Sequence, residues 1–298
     1  MERSLGVKDF KILTALEERV DEALTQREIA TAADLSVGTV NRAMADLHER
    51  GFVREGMLSA AGLEALEPYR VKRAVLIAAG FGSRLVPITL NTPKPLIRVQ
   101  GRRISDSLLD AVYAAGIEEV YVVRGYLAEQ FDQLLYKYPG LKFIENPFYN
   151  EANNISSAVA AKDLLQNAYV FESDLLLYNP KLITKYQYSS NYLGVPVQVT
   201  DDWCFQTRRG VITGLSVGGT DCHHMFGISY WTEEDGRKLA DDVPATFAMP
   251  GGKERYWDEV ALRYFARNYE VVVRECTFDD VIEIDTYREL QELDKAYV

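Results

Sequence analysis

The chain has only three cysteines in 298 residues, too few and too scattered for a disulfide framework. Cys204, Cys222 and Cys276 form no Cys-x-x-Cys pair, so we expect reduced thiols. No apolar run reaches the roughly 18 residues that cross a bilayer. The first residues, MERSLGVKDF, lack the apolar core of a signal peptide. We therefore expect a cytoplasmic protein without a membrane partner.

The chain also lacks a surplus of positive charge. Its net charge is −11 and its pI is about 4.9, which does not favour a general polyanion-coating role. Any nucleotide would have to bind in a local basic pocket. A hydrophobic content of 47% is ample for a core, and the length predicts more than one domain.

The first 70 residues have the pattern of a small helical domain that ends in a hairpin. Thr25 to Glu28 has the form of a capping box, and Ser36 precedes a second amphipathic segment. Short strands at 52–54 and 57–58 would form a wing. The segment resembles a winged helix-turn-helix domain, which we assign to residues 1–70, with 67–70 as a linker.

The charge of this segment leaves its role open. It carries 9 Lys plus Arg against 13 Asp plus Glu, a net charge of −4, whereas a DNA-contacting domain usually has a basic face. Thr39, Asn41 and Arg42 could reach base edges, with Arg50 and Arg54 near phosphates. DNA binding and a docking or dimerising role are both compatible with this pattern.

From residue 71 onward, apolar runs alternate with amphipathic segments. Alternation of this kind predicts an α/β fold with a mostly parallel sheet and right-handed crossovers, in which ligands bind at the carboxyl ends of the strands. The expected strands are 74–77, 119–123, 142–144 and 168–172, and the expected helices are 105–115, 127–138 and 155–163.

The first of these strands runs into a loop without bulky side chains, AAGFGSRL, followed by TPKPL. Glycines let backbone N–H groups approach phosphate oxygens, Arg84 supplies a planar charged fork, and Lys94 adds a mobile positive charge. No Walker lysine follows, and Leu85 stands where a dinucleotide fingerprint needs its third glycine. The alternative is a turn that only closes a tight corner.

Taken together, this loop and TPKPL resemble the signature of the sugar-phosphate and choline-phosphate nucleotidyltransferases. The resemblance implies a Rossmann-like nucleotidyltransferase domain at 71–298. It also implies that the loop wraps the triphosphate of a nucleotide. The residues implied to bind it are Ala78, Ala79, Gly80, Gly82, Ser83, Arg84 and Lys94.

Two acidic groups follow predicted strands, Glu172-Ser173-Asp174 and Glu283-Ile284-Asp285. Glu283 and Asp285 are two residues apart and would share one face of a strand. Carboxylates from different strands can hold Mg²⁺, which prefers oxygen ligands. By the resemblance the metal ligands are Asp174 and Asp285; the alternative is two solvated strand ends.

Aromatic residues near carboxylates suit a cationic substrate, because ring faces attract a quaternary ammonium. Trp203 follows two aspartates, and Tyr256 precedes Trp257 and Asp258, whereas Tyr230-Trp231 fits a core position better. Cys222-His223-His224 has no second cluster to complete a zinc site, so we interpret it as a coincidence.

The motifs from residue 72 to the end follow the order and spacing of the bacterial CTP:phosphocholine cytidylyltransferases of the LicC type, which the chain resembles. The resemblance implies a choline site at Trp203, Tyr256, Asp258 and Glu283. It implies a cytosine site near Gly125, Tyr126, Asn153, Asn154 and Ser156. Glu172 and Ile155 depart from the usual residues of that family.

The resemblance therefore predicts a Mg²⁺-dependent enzyme that converts CTP and phosphocholine to CDP-choline and pyrophosphate. Lys94 would stabilise developing charge or align the acceptor, and Arg84 would hold the pyrophosphate. The acceptor could instead be 2-aminoethylphosphonate, phosphoethanolamine or a sugar 1-phosphate. From another class, the chain could be a DNA-binding transcriptional regulator whose transferase domain senses a ligand.

Overall fold

The computed structural model of the chain describes residues 5–19 and 23–298. Its contacts define two compact units. The N-terminal unit comprises the chain up to Arg70 together with Tyr186–Tyr188, and the C-terminal unit comprises Val71–Lys185 and Ser189–Val298. No helix in the described ranges is long and apolar enough to cross a membrane. Residues 1–4, part of the segment examined for a signal peptide, lie outside those ranges.

The N-terminal unit is a three-helix cluster with a two-stranded wing and a fourth short helix. Its elements are α1 (Val7–Glu17), α2 (Gln26–Ala32), α3 (Val37–Glu49), β1 (Val53–Arg54), β2 (Met57–Leu58) and α4 (Ala60–Leu66). The predicted capping box is confirmed, since Thr25 Oγ1 accepts from the Glu28 N–H and Glu28 Oε2 accepts from the Thr25 N–H. Glu55 and Gly56 both have positive φ, as a tight hairpin turn requires.

The segment predicted to be a linker, 67–70, belongs to the hydrophobic core of this unit. Tyr69 is fully buried, and its hydroxyl accepts from the Leu5 N–H at 3.1 Å. Its ring stacks on Tyr188 at a centroid distance of 5.4 Å. Pro68 ends α4 as expected. The Tyr69 ring that follows is buried, so this segment is part of the folded N-terminal unit.

A glycine in α4 offers a stability test of this unit. A Cβ at Gly62 would collide with the Phe52 carbonyl oxygen and lie 2.7 Å from Leu58 Cδ1. We expect Gly62→Ala to destabilise the unit by about 2 kcal/mol, since overpacking shifts the backbone. Gly38→Ala is the control, because nothing lies within 4 Å of that Cβ. Urea unfolding should give a control as stable as the wild type or slightly more; equal midpoints for both variants would contradict the packing described.

The C-terminal unit is built on a seven-stranded mixed sheet. The unit as a whole contains the sheet strands and two separate strand pairs, β4 with β5 and β9 with β13. In chain order the strands are β3 (Arg73–Ile77), β4 (Arg98–Val99), β5 (Arg102–Arg103), β6 (Glu119–Arg124), β7 (Lys142–Glu145), β8 (Ala168–Glu172), β9 (Leu175–Leu177), β10 (Asn191–Arg208), β11 (Val211–Trp231), β12 (Val272–Glu275) and β13 (Val281–Glu283). Its α-helices are α5 (Ile104–Ala114), α6 (Ile155–Ala160), α7 (Glu233–Ala248) and α8 (Tyr287–Leu293). The sheet order is β10-β12-β11-β8-β3-β6-β7.

The predicted α/β fold with a mostly parallel sheet is confirmed. β8, β3, β6 and β7 run parallel, and β11 joins β8 in the antiparallel direction. β3 lies inside the sheet between β8 and β6, and its apolar run is buried on both faces. Leu76 packs in the same cluster as Leu108 of α5, whereas Val75 packs with Val123 and Ala161 on the other face.

Three elements differ from expectation. The predicted helix 127–138 is a 3-10 helix, Ala128–Tyr136, which follows Leu127 at positive φ. The predicted helix 155–163 ends at Ala160. The expected strand 281–285 stops at Glu283, because β13 pairs with β9 in a separate two-stranded ribbon. Glu283 and Asp285 therefore do not share one strand face.

Candidate active site

The glycine loop after β3 is held in a tight conformation. Gly82 has a φ of 63°, and a Cβ there would lie 3.0 Å from Thr89 Cγ2 and 3.2 Å from Lys94 Cβ. Thr89 Oγ1 donates to the Gly82 carbonyl at 2.9 Å. Glycine is required by both the backbone conformation and the close approach. The same packing fixes Lys94 beside the loop.

Lys94 lies between two aspartates that are far apart in sequence. Its Nζ is 2.9 Å from Asp174 Oδ2 and 3.3 Å from Asp285 Oδ1. The Ile284 N–H donates to the Asp174 carbonyl at 3.0 Å, which joins the two acidic segments. Burial by itself lowers the pKa of Lys94, but attraction to Asp174 and Asp285 outweighs it and leaves the pKa raised. The lysine is therefore a permanent cation.

Arg84 forms a second, more exposed contact with the same cluster. Its guanidinium contacts both oxygens of Asp285, at 2.7 and 2.8 Å. About two thirds of the Arg84 side chain is exposed, so solvent screens this pair. The guanidinium can exchange the carboxylate for a phosphate, which it also binds through two parallel hydrogen bonds.

Asp174, Glu283 and Asp285 have the chemistry of a divalent cation site. Each offers an oxygen, and these atoms lie within 4.8 Å of one another. Asp174 Oδ1 is buried without a hydrogen-bond partner, an arrangement that costs free energy unless a cation binds it. Burial, then repulsion from Asp174 and Asp285, raises the pKa of Glu283 to about 9. The all-oxygen donor set fits Mg²⁺ and similar hard ions.

A second part of the site combines aromatic rings with buried acids. The Trp203 and Tyr256 rings meet edge to face at 5.3 Å. Asp258 is buried and accepts from the Tyr192 hydroxyl at 2.7 Å. Burial also raises the pKa of Glu172 well above its usual value, with repulsion from Asp258 and Asp174 adding to it. The rings and acids define a region suited to a positive charge.

These acids differ from Asp174 and Asp285 in having no cationic partner. Within the described ranges, no Lys or Arg forms an ion pair with Glu172, Asp202, Asp258 or Glu283. His224, which we predicted to be uninvolved in metal binding, brings a ring nitrogen within 4.8 Å of Asp202 and Glu283 oxygens. Burial lowers the pKa of His224, so the imidazole adds little positive charge. A cationic ligand would favour the ionised forms of these acids and supply the charged partner that they lack.

The buried Asp258 should make stability depend on pH. Burial raises its pKa to about 7 from an ordinary value near 3.8. The stabilisation of the folded state that comes from protonation of Asp258 is therefore complete at low pH and is lost as the pH rises through about 7. We expect the melting temperature of Asp258→Asn to fall less than that of the wild type between about pH 5 and about pH 8. Asp163→Asn, an exposed control, should follow the wild type; an unchanged slope in Asp258→Asn would contradict this electrostatic account.

Most of the sequence-predicted site residues line one cleft of about 710 Å³. They are Ala78, Ala79, Gly80, Gly82, Ser83, Arg84, Lys94, Asn153, Asn154, Ser156, Asp174, Trp203, Tyr256, Asp258, Glu283 and Asp285. Gly125 and Tyr126 do not line it. Gly125 packs beneath Tyr149, and the Tyr126 hydroxyl donates to the Thr89 carbonyl at 2.9 Å.

The polar groups predicted to lie near cytosine already have partners within the chain. Asn154 Nδ2 donates to Glu172 at 3.0 Å, and its Oδ1 accepts from the Trp257 N–H at 2.9 Å. Asn153 Nδ2 donates to the Glu254 carbonyl at 3.2 Å. These bonds link the start of α6 to the segment that carries Tyr256 and Asp258.

Sequence reasoning did not single out several other lining residues. Tyr149, Asn146, Ser157 and Met225 line the cleft as well. Asn146 Nδ2 donates to Ser156 and Ser157, at 2.9 and 3.1 Å. A polar residue just after β7 was the only signal for Asn146, and nothing in the local sequence distinguishes Tyr149 from other loop tyrosines.

Comparison with known proteins agrees with this fold. The family model "Nucleotidyl transferase" matches residues 73–191, and "Winged helix-turn-helix DNA-binding" matches residues 7–54. A 2-aminoethylphosphonate cytidylyltransferase of Lancefieldella rimae is 34% identical over 229 residues, which are 76% of this chain and 93% of that protein. The choline-phosphate cytidylyltransferase of Streptococcus pneumoniae is 28% identical over 74% of this chain and 97% of its own length.

A solved structure extends the comparison to three dimensions. The CTP:phosphocholine cytidylyltransferase of Streptococcus pneumoniae superposes with a TM-score of 0.70 at 27% identity, covering 77% of this chain and all of that one. The chain therefore belongs to the nucleotidyl transferase family. Within that family it groups with the cytidylyltransferases, and it carries a winged helix-turn-helix region at its N-terminal end.

Proposed function

We propose that the chain transfers the cytidylyl group of CTP to phosphocholine, giving CDP-choline and pyrophosphate. The observation that carries this proposal is a single cleft that combines a phosphate-type glycine loop, the Lys94 cluster and an acidic aromatic region. The loop and cluster suit a triphosphate, and the aromatic region suits a cationic acceptor.

The reaction needs positioning and charge neutralisation rather than a protein nucleophile. A phosphate oxygen of the acceptor attacks the α-phosphorus, and pyrophosphate leaves on the opposite side. The loop N–H groups bind the triphosphate, and Arg84 moves from Asp285 to hold the departing pyrophosphate. Lys94 stabilises the charge that develops at the α-phosphate or aligns the acceptor phosphate. Mg²⁺ held by Asp174 and Asp285 would supply further neutralisation of phosphate charge when bound.

The acceptor nitrogen binds at the aromatic and acidic region. Trp203 and Tyr256 present ring faces and edges, and a trimethylammonium group gains cation–π attraction there. The bound ammonium favours the ionised forms of Asp258 and Glu283, and these carboxylates then add Coulomb attraction. A sugar 1-phosphate carries no charge that would balance these acids.

A second acceptor, 2-aminoethylphosphonate, is favoured by the relative from Lancefieldella rimae. Its primary ammonium donates hydrogen bonds, and no hydrogen bond to the Glu283 carboxyl group is formed among the described residues. Phosphoethanolamine carries the same amine. The rings favour the methylated acceptor, whereas the unpaired carboxylates favour the primary amines.

Pyrophosphate release from CTP and Mg²⁺ would test the proposal across phosphocholine, 2-aminoethylphosphonate, phosphoethanolamine and glucose 1-phosphate. We expect phosphocholine to give the highest kcat/KM and glucose 1-phosphate none. A higher kcat/KM for 2-aminoethylphosphonate or phosphoethanolamine would show that the primary amine is the acceptor, and the proposed cytidylyl transfer would still hold. Absence of release with all the aminated acceptors would overturn the proposal.

A function of another class, DNA binding, is favoured by the family model matched at residues 7–54. The candidate recognition helix α3 carries Arg42 as its one Lys or Arg, and Arg50, just beyond its end, pairs with Asp9 and Asp46 at 3.0 and 3.1 Å. Fluorescence anisotropy at physiological salt would compare the affinity of the protein for DNA from upstream of its own gene with its affinity for random duplex. Both affinities would be measured with and without CTP and acceptor. Equal affinities would leave assembly or docking as the role of this unit.

A further inference from the structure

Two aromatic rings line the cleft, one within the glycine loop and one in the segment that follows β7. The Phe81 and Tyr149 ring centroids are 5.7 Å apart, and both residues border the cleft. Phe81 is 46% exposed, although it is a large apolar side chain in a deep site. An exposed ring at the wall of a cleft indicates a surface that a ligand covers.

The rings are held in place by their neighbours. A Cβ at Gly125 would lie only 2.5 Å from Tyr149 Cβ, so the tyrosine rests directly on the backbone at the end of β6. Phe81 also contacts Tyr126 at 4.9 Å. The Tyr126 hydroxyl is fixed by its bond to the Thr89 carbonyl. Little side-chain entropy would be lost when a flat ligand binds here.

The sheet topology separates this region from the acidic one. β3 and its loop lie between β6 on one side and β8 on the other. Glu172 ends β8 and Asp174 follows it, whereas the side of β6 and β7 contributes neutral groups, including Tyr149 and Asn146. A cationic acceptor is attracted to the first side, and an uncharged planar group fits the second.

From these observations we infer that Phe81 and Tyr149 bind the cytosine ring of CTP by stacking. The inference rests on the proposed function, since it takes CTP as the nucleotide. The amides of Asn153 and Asn154 are engaged within the chain, so the rings supply the apolar contact with the base. The polar edges of the base face the remaining lining groups.

The test measures CTP affinity and KM in Tyr149 variants. Tyr149→Leu keeps an apolar side chain on Gly125 but removes the aromatic face, and we expect the KM and dissociation constant for CTP to rise about 10-fold. Phe81→Leu should act in the same direction. Tyr149→Phe should match the wild type, as should Tyr136→Ala, which removes an exposed ring outside the cleft. The KM for the acceptor should not change.

Proton NMR gives a readout that a merely structural role would not move. Stacking shifts the cytosine H5 and H6 signals of bound CTP upfield, and this shift should shrink in Tyr149→Leu and Phe81→Leu. Unchanged CTP affinity and shifts in both variants would overturn the inference. Calorimetric binding of CTP alone separates this outcome from failure of the proposed reaction: CTP binding that weakens in the variants supports the inference even if no acceptor reacts, and a wild-type protein that does not bind CTP overturns both.

Discussion

Asp174→Asn is expected to lower kcat by about 10³-fold while the fold is retained. The substitution keeps the shape of the side chain and the Asp174 carbonyl, which accepts from the Ile284 N–H. It removes the negative charge that faces Lys94 at 2.9 Å and replaces one of the two carboxylate oxygens with an NH₂ group, which cannot bind a cation. The cluster would then have one anionic ligand fewer at the reacting phosphate.

Steady-state kinetics and circular dichroism would check this expectation together. Asp279→Asn provides the matched control, because the same chemical change is made at an exposed position outside the cleft. It should leave kcat unchanged. Near-normal turnover in Asp174→Asn with an intact spectrum would remove the proposed metal and charge assignment.

Lys94→Met should reduce kcat by about 10²-fold or more, because the cation nearest the acidic cluster is lost without a large change in side-chain length. The same variant should bind Mn²⁺ more tightly than the wild type when no nucleotide is present. In the wild type, the Lys94 ammonium lies 2.9 Å from Asp174 and 3.3 Å from Asp285 and neutralises both carboxylates. Removal of that charge leaves the carboxylates free to attract a divalent ion.

Electron paramagnetic resonance of free Mn²⁺ would measure this change independently of activity. Lys181→Met, at an exposed position outside the cleft, should alter neither kcat nor Mn²⁺ affinity. Equal Mn²⁺ affinity in Lys94→Met and the wild type would contradict the inference that the lysine competes for these carboxylates.

Local sequence patterns were sufficient for the features that depend on local physics. The capping box at Thr25 and the buried run of β3 each follow from residue types at short spacing. The order of the motifs also predicted that Asp174 and Asp285, which are 111 positions apart in the sequence, lie close together. The physical reason is that β13 pairs with β9, the strand that follows Asp174, and that the Ile284 N–H donates to the Asp174 carbonyl.

The remaining features depend on contacts that spacing does not encode. Asn154 uses both ends of its amide to join Glu172 to the Trp257 backbone, so a residue predicted to lie near cytosine also organises the acceptor region. Tyr149 reaches the cleft only because Gly125 makes room for it. Asp285 lies beyond the end of β13, which the apolar pattern of 281–285 did not predict.

Membership of Tyr186–Tyr188 in the N-terminal unit bears on how fragments of this protein should be designed. A truncation that starts at Val71 would retain Tyr188 without the Tyr69 and Phe10 rings against which it packs. Such a fragment would expose apolar aromatic side chains to solvent and would tend to aggregate during purification. Polar replacements at Tyr186 and Tyr188 would be needed before the shorter polypeptide could serve in crystallisation or assays.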